Sequence, residues 1–187
     1  RLLIVTSNVE PRDVWSVVGY NIVRHFQCTS TLCYSGEEKY KFAFGRNRCK
    51  SELFETYGYL VLLWDLLNVL IYTKGRPDAI YCNVEHYAPV AMWLSRIYDV
   101  PYLITAHGTY GVTLPVRYKI YRKAFENANC VVCVSRYTRK RMEEEGIRGI
   151  YRVIRNGVDK TKFVPRPGVS KENIVLFVGN LKPRKGF

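Results

Sequence analysis

The chain has 187 residues, 48% of them hydrophobic and 24% charged. That is enough to bury the core of one ordinary α/β domain, and too apolar for a disordered segment. The formal net charge of +13 implies attraction to something anionic: nucleotide phosphates, a nucleic acid or an acidic membrane surface.

In chain order, short apolar runs alternate with longer helical patterns. Strands are expected at 2–6, 28–34, 79–83, 101–106, 130–134, 151–155 and 174–178, with helices near 15–26, 52–73, 86–98, 115–128 and 136–145. Near-continuous apolar strands separated by helices predict a Rossmann-like parallel sheet with helices on both faces. Ligands of such sheets bind beyond the carboxyl ends of the strands. That rule selects the loops after Thr6, Asn83, Ala106, Val134 and Val178.

The opening RLLIVTS is too short for a signal peptide. The loop after the first strand lacks G-x-G-x-x-G and has Gly19 as its only glycine, which argues against a nicotinamide or flavin site. The chain has neither a P-loop nor the G-x-S-x-G of hydrolases. The apolar stretch 59–72 is too short for a comfortable membrane span. Gly58, Val61, Asp65, Asn68 and Tyr72 fall at helical spacing, so the segment reads as a mostly buried helix with one narrow polar stripe. A helix lying on a membrane surface is the sharper alternative, although such helices usually carry a strongly cationic polar face.

Six cysteines are present. Cys130 and Cys133 lie on one strand, three residues apart, and so point to opposite faces; neither a zinc corner nor a redox turn can be built from them. Free thiols in a reducing compartment, the cytoplasm, are expected. No metal cluster is visible, and no cofactor is expected.

The loop AHGTYG after the fourth strand places His107 at a carboxyl strand end. Gly108 and Gly111 flank it, and Thr109 and Tyr110 offer hydroxyls. His86 begins a helix near the same crevice, whereas His25 reads as an ordinary helical residue. On the helix after Val134, Ser135 is the expected N-cap. Its cations come early and Glu143, Glu144 and Glu145 late, against the macrodipole. The i,i+4 pairs Arg139–Glu143, Lys140–Glu144 and Arg141–Glu145 recover only part of that cost. Anion attraction at the helix start would explain the order, with Arg136 the best-placed candidate. Residues 154–173 read as a crossing between domains. Then IVLFVG begins a new strand, followed by Lys182, Arg184, Lys185 and Gly186. Amides at Gly179 and Gly186 with a lysine between them suit a diphosphate.

The segments PDAIYCNVEHYAPVAMWLSRIYDVPYLITAHGT, CVVCVSRYTRKRM, RVIRNGVDKTKFVP and LFVGNLKPRKGF, in that order, resemble the GT-B glycosyltransferases of family 4. The resemblance covers residues 77–187 well and the first strand loosely. It implies a retaining, hexosyltransferase-type enzyme that uses a nucleotide-activated sugar and needs no metal. Residues 1–165 would be the Rossmann-like acceptor-binding domain, and 166–187 the linker and first strand of the nucleotide-sugar-binding domain, whose remainder is absent. His107 matches the histidine near the transferred sugar, and Lys185 the lysine that meets the departing diphosphate. Asn180 stands where the family has an arginine, with Gly179 before it and Arg184 a nearby substitute. Gly19, Gly108, Thr109 and Arg136 would line the cleft for a glycan, lipid or lipid-phosphate acceptor. An anionic membrane surface is a further candidate partner, placing the protein peripherally at the inner face of the membrane. The chain alone is expected to be a truncated piece with little or no turnover. Two alternatives stay open: a non-catalytic basic module binding nucleic acid, although RNA-binding signatures are missing, and a stand-alone sugar- or lipid-phosphate-binding domain.

Overall fold

The structure, a computed structural model, describes residues 1–6, 21–22, 30–33, 51–73, 75–164, 168 and 173–177. The chain divides into two compact units, Arg1–Asn156 and Gly157–Phe187.

The first unit holds six strands: β1 (Leu2–Val5), β2 (Ser30–Cys33), β3 (Ala79–Cys82), β4 (Tyr102–Ala106), β5 (Cys130–Cys133) and β6 (Tyr151–Val153). They form one sheet in the order β2-β1-β3-β4-β5-β6, and every pairing is parallel. The helices are α1 (Ser51–Tyr72), α2 (Ala88–Tyr98), α3 (Thr109–Arg117), α4 (Lys119–Glu126) and α5 (Arg136–Glu144).

Strand side chains alternate between two environments, as the period of two requires. On β3 and β5, Ile80, Cys82, Val131 and Cys133 are buried, while Ala79, Tyr81, Cys130 and Val132 are half-buried. The buried set joins Leu62 of α1, Leu94 of α2, Tyr121 and Phe125 of α4 and Met142 of α5 in the main core. On the other face Ile4 packs with Leu2, Tyr81 and Ile22, a residue of a helical turn. Cys130 and Cys133 therefore do face opposite ways; with Cys82 they are free thiols.

Three expectations change. The helix expected over 115–128 starts earlier, at Thr109, and breaks at Tyr118, whose backbone is extended (φ −124°, ψ 120°). The break leaves few orphan groups: the Tyr118 amide donates to Leu114 O at 2.9 Å, and its carbonyl accepts from Arg122 at 3.1 Å. On α1 the polar stripe faces inward. Gly58 and Asp65 are buried along with Leu62 and Val69, while Tyr59, Leu60, Leu63, Trp64, Leu67 and Ile71 are exposed. Burial raises the Tyr87 and Tyr121 phenols, and the charge of nearby Asp65 adds to the rise; the apolar residues are left for the solvent side.

In the second unit, no strand forms over 174–177, where Ile174, Val175, Leu176 and Phe177 are exposed. A strand needs a ladder partner for its amides and carbonyls, and these four residues have none in the sheet. What the unit does build is a turn capped by Asp159, whose Oδ1 accepts from the Thr161 amide at 2.9 Å and its hydroxyl at 2.6 Å, as short acidic side chains do in turns.

Helix α3 can lie against the end of β4 because Gly111 has no side chain. A Cβ there would stand 2.7 Å from the Ala106 Cβ and 3.0 Å from its Cα, and neither atom can yield. We expect Gly111→Ala to destabilise the chain by roughly 1–3 kcal/mol through overpacking. Urea denaturation checks this, and an unchanged midpoint would refute the close approach.

Candidate active site at the carboxyl edge of the sheet

The strand order reverses direction between β1 and β3. In open parallel sheets a ligand crevice forms beyond the carboxyl ends of the strands at such a point. Three strands are tied together there through one residue. The Asn83 amide donates to Val5 O at 2.9 Å, its side-chain Nδ2 donates to Thr6 Oγ1 at 3.2 Å, and its carbonyl accepts from His107 Nε2 at 2.7 Å. Thr6 and Asn83 are fully buried. Two residues earlier on each strand, the Tyr81 and Thr105 hydroxyls share a 2.6 Å hydrogen bond.

A carbonyl can only accept, so Nε2 of His107 carries hydrogen. Burial holds the imidazole pKa below its ordinary value, against the opposing effect of the Asn83 carbonyl. The ring is thus neutral at pH 7, and its tautomer is set: Nε2 donates to the backbone, and Nδ1 is an acceptor. This is the chemistry of a hydrogen-bond acceptor for a ligand hydroxyl.

Gly108 and Gly111, expected to serve alike, do different work. Gly108 adopts φ 96°, ψ −117°, a conformation that side-chain-bearing residues rarely take. A Cβ there would meet nothing within 4 Å, so backbone conformation and not space demands the glycine. Gly111 serves the contact of α3 with β4. Thr109, the first residue of α3, is exposed, and its carbonyl accepts from Thr113 Oγ1 at 2.6 Å.

His86 belongs to a 3-10 turn, Glu85–Tyr87, and its ring tilts against Tyr110 at 5.1 Å. Its carbonyl accepts from the Tyr121 hydroxyl at 2.9 Å, and burial lowers its pKa. Sequence reasoning missed its neighbour. Glu85 is fully buried, and among the described residues neither carboxyl oxygen has a hydrogen-bond partner. Burial pushes its pKa up to about 7, against the downward pull of the nearby amides of Glu85 itself, His107 and Gly111. The only sequence signal was an acid set between the apolar strand β3 and the Pro89-led helix α2.

Arg136 is the first residue of α5. Ser135 caps α5, its Oγ accepting from the Thr138 amide at 3.0 Å. The expected pairs form: Arg139–Glu143 at 2.8 Å, Lys140–Glu144 at 3.7 Å and Arg141–Glu145 at 2.8 Å. Arg136 lines an open groove of about 520 Å³ between α5 and β6, with Arg139, Lys140, Glu143, Tyr151 and Arg152. His107, Gly108 and Thr109 do not line it. Gly19, Gly179, Asn180, Arg184 and Lys185 lie outside the described residues. Among the described residues no group of three or more His, Cys, Asp or Glu side chains could hold a metal ion.

The family model for Glycosyltransferase Family 4 matches residues 31–162. No curated protein sequence matches the chain. Solved structures of HepE from Anabaena are similar in fold. The complex with UDP superposes with a TM-score of 0.59 at 15% identity, covering 89% of this chain and 47% of that one. The complex with UDP and glucose gives 0.60 at 15%, over 89% and 47%, and the UDP-glucose complex 0.60 at 16%, over 89% and 46%. The chain thus spans about half the length of these structures.

The buried carboxyl makes stability depend on pH. The folded chain holds the Glu85 proton up to about pH 7, whereas an ordinary glutamate releases it near 4.5. Between those values the unfolded state binds fewer protons, so stability falls as pH rises. Glu85→Gln should therefore gain stability relative to wild type by an amount on the order of 3 kcal/mol between about pH 5 and pH 8. The two histidines contribute equally to both proteins and cancel. Denaturation curves at a series of pH values check this; a pH-independent difference would exclude the raised pKa.

Proposed function

Because the chain belongs to glycosyltransferase family 4, we propose that it is the acceptor-side half of a retaining enzyme that transfers a hexose from a nucleotide-diphosphate sugar. The observation that carries this reading is the His107–Asn83 hydrogen bond of 2.7 Å at the carboxyl ends of the strands. It fixes a neutral imidazole acceptor where a sheet of this topology receives its ligand. The HepE complexes hold UDP and UDP-glucose, which supports a nucleotide sugar as donor. The acceptor is a glycan, a lipid or a lipid phosphate.

In the proposed step the bond from the anomeric carbon to the diphosphate oxygen breaks, and the acceptor oxygen bonds to that carbon on the same face. The leaving phosphate oxygen takes the acceptor's proton, so no side chain is needed as nucleophile or base. His107 Nδ1 accepts from a hydroxyl of the transferred sugar and holds it while charge develops. Negative charge on the departing diphosphate must be met by donors already in place. Lys185 is assigned that task, and Gly179, Asn180 and Arg184 are assigned to the donor diphosphate with it. Gly108 and Thr109 shape the acceptor cleft, together with Gly19. Arg136, in its own groove, would take an anionic part of the acceptor.

We place the enzyme in the cytoplasm, peripherally at an anionic membrane. The support is the exposed face of α1, with Leu60, Trp64, Leu67 and Ile71, on a chain of net charge +13. Apolar and aromatic residues on one helix face, helped by cations, are what an interfacial helix requires. Among the described residues no helix is long and apolar enough to cross a membrane.

In the full-length enzyme, His107→Ala and Lys185→Ala should each lower kcat by about 10²–10³-fold, the scale of losing one preorganised polar contact in the transition state. Far-UV circular dichroism should be unchanged. Near-normal turnover in both variants would refute the site assignment.

A further inference from the structure

The groove between α5 and β6, the edge strand of the sheet, has a volume of about 520 Å³. Its helix wall carries Arg136, Arg139 and Lys140, its strand wall carries Arg152, and Glu143 is its one acid. The four cations are not alike. Arg139 is held by Glu143 at 2.8 Å. Lys140 reaches Glu144 at 3.7 Å, an acid that Arg141 already engages at 2.9 Å. Among the described residues the exposed Arg136 side chain has neither an ion pair nor a hydrogen bond. Arg152, also exposed, reaches only the Tyr151 carbonyl, at 3.4 Å.

Helix stability does not account for Arg136. A cation at the first position of α5 opposes the macrodipole. Arg139, Lys140 and Arg141 each have a glutamate four residues on, whereas Arg136 has Lys140 there, and like charges at that spacing repel. A residue that costs its helix on both counts, and that no fold contact repays, marks a functional position. The planar guanidinium presents paired N–H donors that match phosphate oxygens. Arginines on two facing walls can grip one tetrahedral group from both sides. We propose that the α5–β6 groove binds a phosphate monoester, with Arg136 and Arg152 as its clamps and Lys140 adding charge.

Side chains, not the helix amides, carry this site, since Ser135 Oγ already accepts from the Thr138 amide at 3.0 Å. A single-stranded nucleic acid would seek aromatic faces on which to stack its bases as well as cations. Tyr151 is the one aromatic residue of the groove. It is buried, and its hydroxyl donates to Ile147 O. The groove therefore offers charge without stacking, which suits a compact phosphate better than a polynucleotide. Such a group has two sources, the head of a lipid phosphate and a soluble phosphate ester.

The proposal rests on the reading of Arg136 as the residue that takes an anionic part of the acceptor, and names that part, yet its test needs no turnover. The isotopically labelled chain is titrated with glycerol 3-phosphate, and the amides of residues 136–140 and 151–153 are followed by NMR. These amides should shift together and saturate. Arg136→Gln and Arg152→Gln should each weaken binding about tenfold, the scale of one charge-assisted contact. Arg136→Lys keeps the charge without the planar fork and should recover only part of the loss. Arg141→Gln removes a cation of the same helix that does not line the groove, and should change binding less than about twofold, because solvent screens exposed charges. Arg136→Gln should melt no lower than the wild type, since it relieves the cost to the helix; a lower melting temperature would give Arg136 a structural role and overturn the proposal. Co-sedimentation with phosphatidylcholine vesicles, with and without phosphatidic acid, separates the sources. Binding that needs phosphatidic acid and falls in Arg136→Gln assigns a lipid phosphate; glycerol 3-phosphate binding without it assigns a soluble ester. No shift of these amides, unchanged affinity in both glutamine variants, or an equal loss in Arg141→Gln would overturn the proposal. So would binding of a thymidine oligonucleotide with no response to glycerol 3-phosphate, which assigns the groove to nucleic acid. If the groove binds as expected while the full-length His107→Ala enzyme retains activity, the transferase assignment fails and the phosphate site stands.

Discussion

Asn83 ties three strand ends into one rigid rim. Its amide continues the ladder to β1, its side chain holds Thr6, and its carbonyl fixes the His107 ring. Each of these polar groups is buried or half-buried, where a missing partner would cost about 1–3 kcal/mol. The rim is therefore held by the cost of breaking it more than by the strength of any one bond. Because β1 and β3 flank the reversal of strand order, that rigidity falls where an α/β sheet receives its ligand. Fold and site share the same three hydrogen bonds.

Much of this was legible in the residues. Apolar runs such as LLIV, AIYC and CVVC can be neither amphipathic helix nor loop, and their alternation with helical patterns left a parallel sheet as the economical answer. His107 was visible because it directly follows an apolar strand. The capping role of Ser135 and the Arg139–Glu143 pair followed from local spacing, which depends on little beyond the helix itself. The boundaries that moved did so by tertiary contact. Gly111 carries α3 back to Thr109 because that glycine admits Ala106, a contact no local rule anticipates.

Two features could not be read locally. On α1, hydrophobic residues lie nearly all round, so composition said that the helix was buried without saying which side. The core chose Gly58 and Asp65 with Leu62 and Val69, leaving Trp64 and Leu67 outside. At 174–177 four apolar residues read as a strand, yet a strand is not a local object. Its hydrogen bonds belong to a neighbour, and among the described residues 174–177 pair with no strand.

Glu85 and His107 show what the rim does electrostatically. Burial moves the acid's pKa up and the base's down, so one dry environment favours the neutral form of both. Near neutrality this edge of the sheet supplies fixed dipoles, the imidazole and the α3 amides, while carrying little net charge of its own. Such a surface can orient a polyhydroxylated ligand without binding its charge too tightly to release it. The positive charge that a departing diphosphate requires must then come from elsewhere, which on the proposed reading is the basic stretch ending at Lys185 and Gly186. On that reading orientation and neutralisation are divided between the acceptor side and the donor side. A half with both functions would hold its anion before the acceptor arrived.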